Sequence, residues 1–428
     1  MLAKKHLVRF TGPGRLRSVL IFLFLAVFIL AVFPGLPAGQ VRARPDSYIP
    51  HGACDAFPRA DLLTPDGLCV GVLATGLGFP RGVAVKDDTI YIADMGGWQP
   101  GQGRLLALGQ NGHAAPRVLL SGLDRPDGLV FGADGQLYMG LPGHVVRVGL
   151  HPDGTAEMQQ VLTGLPVTGR NILTVMAPDP RGDLYVSAGS STNNCESETG
   201  KAPDTTRRCP ELDEPVPRAA ILRFRPGTTT QAAGRGDVMA TGLRNPVAMT
   251  VMPGGTLLAA VNARDNIDSA DPDLSGNDLP HDTYHVIQRG RDYGWPYCYD
   301  KGRAAPEYPA HICAATTWPD LLLPAHSAPL GMIFYNGTTL PGLRDHVLIA
   351  YHGYRDQGHR VVSLAIRPNG KPAGDPQPLV WGWQDLPDGA GPAGSPAGLA
   401  VMADGSVLIT EDHNGALLRL AAERPSGR

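Results

Sequence analysis

Residues 76–93 have the sequence GLGFPRGVAVKDDTIYIA, and this stretch decides the fold. It contains a turn rich in Gly and Pro, a short apolar run, a polar turn at Asp87 and Asp88, and a second apolar run. Short runs of Val, Ile and Tyr bounded by Gly, Pro and Asp are typical of β-strands joined by tight turns. The stretch therefore predicts two antiparallel strands.

The same unit recurs along the chain. Five further copies lie at residues 122–139, 164–187, 242–260, 327–350 and 395–410. The early copies are about 45 residues apart, which is the spacing of a repeat that contributes one four-stranded blade. Because closing such blades into a ring removes exposed sheet edges, the six copies predict an all-β, six-bladed β-propeller.

Two longer segments interrupt the repeat. The later copies are roughly 70 to 80 residues apart, so we place insertions at about residues 190–218 and 262–325. Long loops inside a compact domain are usually functional or disordered. Each of these contains two cysteines, and we predict that both are stapled and build the rim of a pocket at one end of the propeller.

The cysteines fall into three close sequential pairs. An even number in an exported chain indicates disulfides, and although six cysteines allow 15 pairings, pairing between neighbours is the simplest choice. Zinc is disfavoured because the spacings are too wide for a CxxC knuckle and no histidines lie at ligand spacing from them. The predicted disulfides are Cys54 with Cys69, Cys195 with Cys209, and Cys298 with Cys313.

The N-terminal segment, residues 1–44, has the pattern of an export signal. Basic residues precede an apolar run at 19–33, which is followed by Pro34 and small residues. A helix of about 15 residues spans roughly 22 Å, short of a bilayer core. We therefore expect a cleaved signal peptide ahead of one propeller domain at 45–428, and hence a periplasmic or secreted protein. The alternative is an anchor in the inner membrane formed by residues 19–36.

The charge of the remaining chain limits its partners. Residues 1–44 carry seven of the 37 Lys and Arg residues and no acid, so the rest of the chain has a net charge of about −10. No basic patch or tail stands out. A nucleic-acid partner is therefore not expected.

Several ordered motifs point to one family. The string GLRNP at 242–246 is followed by GRDYGWP at 290–296, AHSAPLG at 325–331, YHGYR at 351–355 and GHRVV at 358–362. Together they resemble the signatures of the pyrroloquinoline-quinone-dependent sugar dehydrogenases, the glucose and sorbosone dehydrogenases. The resemblance covers nearly the whole chain after about residue 70. It implies a six-bladed propeller with pyrroloquinoline quinone and a calcium ion near its axis.

Arg244 and Asn245 are the first residues that the resemblance assigns to the cofactor. We expect them at the start of a blade, next to the propeller axis. A guanidinium matches a carboxylate in geometry, and an amide both donates and accepts hydrogen bonds. The cofactor of the family carries three carboxylates and an o-quinone. The alternative role for Arg244 is an ordinary ion pair between blades.

Residues 262–265 lie where the resemblance places groups near the quinone and the calcium ion. We expect Asn262 and Arg264 to contact the cofactor. Amide, carboxylate and backbone carbonyl oxygens are suitable calcium ligands. The predicted metal ligands are Asn262, Asp265 and the carbonyls of Ala263 and Arg264. The stretch lacks the spacing of an EF-hand loop, and a solvated acidic loop is the alternative.

Two histidines and two arginines in the later motifs complete the predicted site. His326 and His352 are candidate general bases, because an ordinary histidine pKa suits proton transfer near neutral pH. Arg355 and Arg360 are candidate cations for the cofactor carboxylates. The alternative is that these side chains are structural.

The family pattern fails at two places. The resemblance implies a catalytic histidine in the third blade, but residues 168–174 read TGRNILT, so Arg170 or Asn171 stands there. Neither side chain acts as a base. The resemblance also implies an arginine at the start of blade six, where this chain has Gly394, Ser395 and Pro396. These departures put the activity in doubt, but not the fold.

Three functions remain open from the sequence. The first is an exported quinoprotein oxidoreductase that oxidises a sugar or a related hydroxyl or aldehyde substrate and passes electrons to a cytochrome or quinone. The second is a catalytically degenerate propeller that binds a saccharide or protein ligand. The third is a calcium-dependent lactonase, for which no clear glutamate ligand is present. Membrane contact is expected only through the N-terminal segment.

Overall fold

The computed structural model describes residues 48, 52–112, 114–196, 202–353, 355–383 and 394–423. The predicted signal or anchor at 1–44 and Tyr354 of the YHGYR motif lie outside these residues. Within the described residues, no helix has the length and apolar character needed to cross a bilayer. The described helices are short 3-10 turns at Pro210–Asp213, Arg235–Asp237, Ile267–Ser269 and Ala310–Ala315.

The chain enters the propeller through three strands. Strands β1 (Ala53–Cys54) and β2 (Phe57–Pro58) form a small hairpin, and β3 (Leu68–Ala74) follows. The disulfide between Cys54 and Cys69 joins the hairpin to β3. This entry segment leads directly into the ring of blades.

Blades 1 to 3 are antiparallel four-stranded sheets, two of which gain a short extra strand. Blade 1 consists of β4 (Pro80–Lys86), β5 (Thr89–Asp94), β6 (Gly103–Gly109) and β7 (Arg117–Leu123). Blade 2 consists of β8 (Leu129–Phe131), β9 (Leu137–Leu141), β10 (His144–Leu150) and β11 (Ala156–Thr163). Blade 3 consists of β12 (Met176–Pro178), β13 (Leu184–Ala188), β14 (Ala220–Phe224) and β16 (Val238–Thr241). The extra strand of blade 2 is β15 (Gln231–Ala232).

Blades 4 to 6 complete the ring. Blade 4 consists of β17 (Asn245–Val251), β18 (Leu257–Asn262), β19 (His281–Val286) and β23 (Leu321–Ala325). Between its last two strands, β20 (Arg291–Asp292) adds to blade 3, and β21 (Cys298–Tyr299) pairs with β22 (Arg303–Ala304). Blade 5 consists of β24 (Pro329–Tyr335), β25 (His346–Tyr351), β26 (Arg360–Ala365) and β27 (Gln377–Val380). Blade 6 consists of β28 (Pro396–Val401), β29 (Val407–Glu411), β30 (Ala416–Ala422) and the entry strand β3.

The ring closes by joining the two ends of the propeller chain in one sheet. Strand β3 pairs antiparallel with β30, so a strand from before blade 1 forms the outer strand of blade 6. The first strands of the six blades contact one another around the axis. Apolar side chains fill the space between each pair of adjacent blades. The predicted six-bladed propeller is confirmed.

The glycines of the repeat permit close approach of neighbouring inner strands. A Cβ on Gly331 would lie 2.1 Å from the carbonyl oxygen of Ala397, and one on Gly398 would lie equally close to that of Arg81. Gly82 has the same relation to Asp127. Real Cβ atoms do not approach an oxygen so closely, and glycine avoids the clash. This is the physical reason why the repeated Pro-x-Gly pattern marked the starts of blades.

All three predicted disulfides are present. They join Cys54 to Cys69, Cys195 to Cys209, and Cys298 to Cys313. The insertion at 190–218 connects β13 to β14. The segment 262–325, predicted as one insertion, instead contains two strands of blade 4, because β19 and β23 interrupt it. The two regions pack together, because the backbone N–H of Cys209 donates a hydrogen bond of 2.8 Å to the hydroxyl of Tyr297.

Candidate functional site

An elongated cavity of about 780 Å³ follows the propeller axis. Every blade contributes its first strand to the lining, and the walls are mostly apolar. Polar side chains gather where these strands begin and where the second strands of blades 4 and 5 end. The polar residues at this end are Arg81, Asp127, Arg170, Asn171, Asn245, Asn262 and His352. A concave apolar site with a few convergent polar groups is the usual form of a small-molecule site.

Four buried ionisable side chains form a network at the polar end, which we call the axial quartet: Arg81, Asp127, His352 and Asp412. Arg81 pairs with Asp412 and lies 3.6 Å from a carboxylate oxygen of Asp127. The Nε2 of His352 lies 2.9 and 3.0 Å from the two carboxylate oxygens of Asp412. Asp412 is fully buried. The quartet joins blades 1, 2, 5 and 6 across the ring.

The two acids of the quartet differ in their ionisation. Burial opposes the ionisation of Asp412, but the charges of His352 and Arg81 outweigh it and hold the pKa of that carboxyl below its usual value. Burial raises the pKa of Asp127, against the charge of Arg81. Asp412 is therefore the anion that anchors the imidazole and the guanidinium, while Asp127 is more readily protonated.

Glu411, the residue before Asp412, lies in a second buried hydrogen-bond network, which we call the second layer. The carboxylate of Glu411 accepts hydrogen bonds from the backbone N–H groups of Ser395 and Asn414, at 2.7 and 3.0 Å. The Tyr48 hydroxyl donates to Glu411 at 3.1 Å and accepts from the Trp383 indole at 2.8 Å. Burial raises the pKa of Glu411 to about 7, and the charge of Asp412 adds to the rise.

This layer predicts a pH dependence of stability. The native state holds the Glu411 proton more tightly than the unfolded chain, whose ordinary value is 4.5, so its contribution to stability falls as the pH rises from 4.5 to about 7. We expect the difference in unfolding free energy between the wild type and Glu411→Gln to change by roughly 3 kcal/mol across this range. Denaturant unfolding at pH 4.5, 5.5, 6.5 and 7.5 measures it. A constant difference would contradict the shift.

Arg244 is buried beside the axis rather than exposed in the cavity. Its guanidinium donates to the backbone and side-chain oxygens of Asn193, at 3.2 and 3.0 Å, and lies 3.5 Å from the Asp265 carboxylate. Asn193 in turn exchanges hydrogen bonds of 2.8 Å with the backbone of Asp265. Trp295 of the GRDYGWP motif donates its indole N–H to the carbonyl of Asn193. Arg244 therefore ties the two insertion loops together.

Asp265 lies among cations. Its carboxylate is 3.5 Å from the Nδ1 of His326 and 3.7 Å from Arg170. The hydrogen bond with His326, together with the charges of Arg244 and His326, lowers the pKa of Asp265 against the effect of burial. The Nε2 of His326 lies 3.0 Å from the carbonyl of Gly276. His326 does not line the axial cavity, whereas His352 does.

Asn245 and Asn262 are the two predicted cofactor residues that line the cavity. The amide N–H of Asn262 donates to the carbonyl of Pro329 at 2.8 Å, which fixes the amide group at the cavity wall. The neighbouring backbone N–H of Ala263 donates to the buried carboxylate of Asp282, which also accepts from Ala328. Asp282 therefore sets the position of the Asn262 loop.

The other predicted arginines are held by protein groups away from the cavity lining. Arg264 is buried and pairs with Glu307 at 2.9 Å. Arg355 donates to the carbonyl of Gly276 at 2.7 Å. Arg360 donates to carbonyls of its own loop, including Gly358 at 3.0 Å. The structure thus brings the predicted base His352 and the amides of Asn245 and Asn262 to the cavity. The three guanidinium groups instead bind other protein groups.

Sequence reasoning missed Arg81, Asp127 and Asp412. The first two stand between Pro and Gly in the repeat, at the position occupied by Leu330 and Ala397 in blades 5 and 6. A charged residue at an axis-facing repeat position was a usable signal. Arg170 and Asn171 line the cavity at the place where the resemblance implies a histidine.

The comparisons with known proteins bear on this fold. No protein-family model matches the chain. An uncharacterized protein from Borreliella burgdorferi is 26% identical over 202 residues, which cover 44% of this chain and 49% of that protein. The match thus spans about half the length of the curated relative.

Several solved structures are similar over most of the chain. A carbohydrate-active enzyme of family AA12 from Trichoderma reesei is 21% identical, with a TM-score of 0.68, over 85% of this chain and 98% of that one. The PQQ domain of pyranose dehydrogenase from Coprinopsis cinerea is 19% identical, with a TM-score of 0.66, over 85% and 98%. The PQQ-bound aldose sugar dehydrogenase of Streptomyces coelicolor is 16% identical, with a TM-score of 0.56, over 84% and 99%. The chain therefore has the six-bladed propeller fold of the sugar dehydrogenases, as its motifs predicted.

Proposed function

We propose that this protein oxidises a hydroxyl or aldehyde group of a sugar or related compound, with pyrroloquinoline quinone held in the axial cavity. The observation that carries the proposal is the His352–Asp412 pair at the polar end of an otherwise apolar cavity. A histidine oriented by a buried carboxylate is a suitable general base. The sugar dehydrogenases among the structural neighbours support the same class of reaction.

The cavity fits a flat anionic cofactor. Carboxylates and quinone oxygens require cations and N–H donors around an apolar slot. Arg170, Asn171 and Asn245 supply such groups, and the first strands supply apolar walls. The arginine that the family resemblance implies in blade six has no counterpart at Ser395, which is fully buried. When bound, the cofactor supplies the two-electron acceptor of the reaction.

His352 takes the proton of the substrate hydroxyl in this proposal. Its Nε2 lies 2.9 and 3.0 Å from the two carboxylate oxygens of Asp412, which accept its N–H. Asp412 fixes the ring and stabilises the imidazolium that forms. Arg81, paired with Asp412, keeps that carboxylate ionised. This arrangement would replace the blade-three histidine that the chain lacks.

A calcium ion would use Asn262 and the backbone carbonyls of Ala263 and Arg264 in this proposal. The amide of Asn262 lies at the cavity wall with its N–H group committed to Pro329, so its oxygen is the group suited to a hard cation. The carboxylate of Asp265, predicted as a further ligand, already contacts Arg244, Arg170 and His326, and we leave it out of the proposed ligand set.

We also propose that the protein acts outside the cytoplasm. The apolar run in residues 19–33 follows basic residues, and three disulfides are typical of oxidising compartments. The electron acceptor would then be a periplasmic or membrane partner, a cytochrome or a quinone. The N-terminal segment would be cleaved or would anchor the protein through residues 19–36.

A non-enzymatic saccharide-binding propeller is the second candidate, because residues 168–174 lack the histidine of the family pattern. A lactonase is less well supported, because Asp127 is the one carboxylate among the described residues that line the axial cavity, and it lies beside Arg81.

Dye reduction separates these functions. The purified protein is loaded with pyrroloquinoline quinone and calcium, and reduction of an artificial electron acceptor is followed over a panel of aldoses, alcohols and aldehydes. The dehydrogenase proposal predicts turnover that requires the cofactor. Saccharide binding without any cofactor-dependent turnover would favour the second candidate instead.

A further inference from the structure

An aromatic wall stands at the rim of the axial cavity on blade 1. Phe79 and Trp98 both line the cavity, with ring centroids 6.4 Å apart and planes at 64°. Phe79 is partly buried, whereas 56% of Trp98 is exposed. A large exposed aromatic side chain at the mouth of a pocket is a common ligand contact. The proposed oxidation chemistry makes no use of it.

The loop that carries Trp98 is fixed by a buried carboxylate. Asp94 accepts hydrogen bonds from the backbone N–H groups of Phe79 and Gly96, at 2.6 and 3.1 Å, and pairs with Arg104. Gly96 has a φ of +69°, and a Cβ there would lie 2.3 Å from the carbonyl oxygen of Gln102. Both aromatic segments are thus held by the same anion. A contact fixed before binding loses little conformational freedom when a ligand arrives.

The wall faces polar groups across the axis. In a ring of six blades, blade 4 lies opposite blade 1, and blade 4 presents the amides of Asn245 and Asn262 to the cavity. The guanidinium carbon of Arg81 lies over the Phe79 ring, 5.6 Å from its centre. A ligand between the two sides meets an aromatic face on one side and hydrogen-bonding groups on the other. A pyranose ring, with its C–H face and its hydroxyl rim, has this chemistry.

We propose that Phe79 and Trp98 form a sugar-ring subsite at the cavity rim, and that the natural ligand is a saccharide of at least two rings. Trp98 lies in contact with solvent, so the ring stacked on it is not the one that reacts in the drier part of the cavity. The subsite rests on the proposed function only in that the inner ring is the one oxidised. Binding by the subsite itself needs no cofactor.

The test is direct binding to the cofactor-free protein, with glucose and maltose titrated into the purified chain by calorimetry. The wild type binds maltose more tightly than glucose. Trp98→Ala weakens maltose binding by about tenfold, the loss expected for one well-packed aromatic contact, and leaves glucose nearly unchanged. Trp98→Tyr restores part of the affinity. Trp318→Ala is the matched control, because Trp318 is 58% exposed and does not line the cavity.

Three results would overturn the subsite: no binding of maltose to the wild type, equal binding by Trp98→Ala, or an equal loss in Trp318→Ala. Failure of the proposed function gives a different pattern. If maltose binding depends on Trp98 while the cofactor-loaded protein reduces no dye, the subsite is supported and the proposed oxidoreductase function is contradicted. If turnover occurs but Trp98→Ala does not change the preference for the longer sugar, the oxidoreductase function is supported and the subsite is contradicted.

Discussion

His352→Ala strongly lowers the rate of sugar-dependent dye reduction by the cofactor-loaded protein. The expected loss in kcat is between about 10² and 10⁴, the usual contribution of a positioned general base. The reason is that His352 is the one of the two predicted histidine bases that borders the axial cavity, where Asp412 holds its ring. Steady-state kinetics of dye reduction measures the effect, with kcat and KM determined separately for the wild type and the variant.

Two companion variants make this result specific. His326→Ala should retain most of the turnover, because His326 is bonded to Gly276 and Asp265 outside the cavity lining. Asp412→Asn keeps the size of the side chain but removes the anion that orients the ring, so it should lower kcat rather than change KM alone. Full activity in His352→Ala would show that His352 is not the general base. Loss of activity only in His326→Ala would assign that role to His326.

Asp412→Ala lowers the free energy of unfolding by about 3–5 kcal/mol, the usual cost of breaking a buried ion pair. Its partner Arg81 has a side chain that is only 6% exposed, and removal of the anion leaves that guanidinium without its main compensating charge. Denaturant unfolding at pH 7 measures the loss. The matched control is Asp213→Ala, which removes one side of the exposed pair with Arg208 and should cost about 1 kcal/mol or less.

A double replacement distinguishes charge from packing. Arg81→Met combined with Asp412→Leu removes both charges and keeps apolar volume, and we expect it to recover much of the stability lost in Asp412→Ala. Turnover should not recover, because His352 then lacks its partner. If Asp412→Ala unfolds within about 1 kcal/mol of the wild type, the quartet is not the buried network described above.

The fold was predictable because its signal is local and repeated. Four of the six blade starts have a glycine where neighbouring backbones approach, at Gly82, Gly128, Gly331 and Gly398, and each strand pair needs its own turn. These requirements recur about every 45 residues in the early blades. The segment 262–325 was predicted as one insertion because long loops separate β19 and β23 from the recognisable start of blade 4.

The site was less predictable because the side chains that contact one another in it are far apart in the sequence. Asp412 meets His352 across 60 positions and Arg81 across 331, contacts that exist only once the ring has closed. Motif likeness identifies Arg244 but not the direction of its side chain, which Asn193 determines. For the same reason Arg264 and Arg360 carry the expected charge at the expected place in the chain, but are bound by Glu307 and by a local loop.

Calorimetric titration of pyrroloquinoline quinone into the purified protein, with calcium present, tests most directly whether the axial cavity is a cofactor site. The account predicts binding at micromolar concentrations or below, weakened about tenfold each by Arg170→Ala and Asn245→Ala, since each removes one polar contact. Arg360→Ala, outside the cavity lining, should bind like the wild type. Absence of binding at high micromolar cofactor, or equal losses in all three variants, would contradict it.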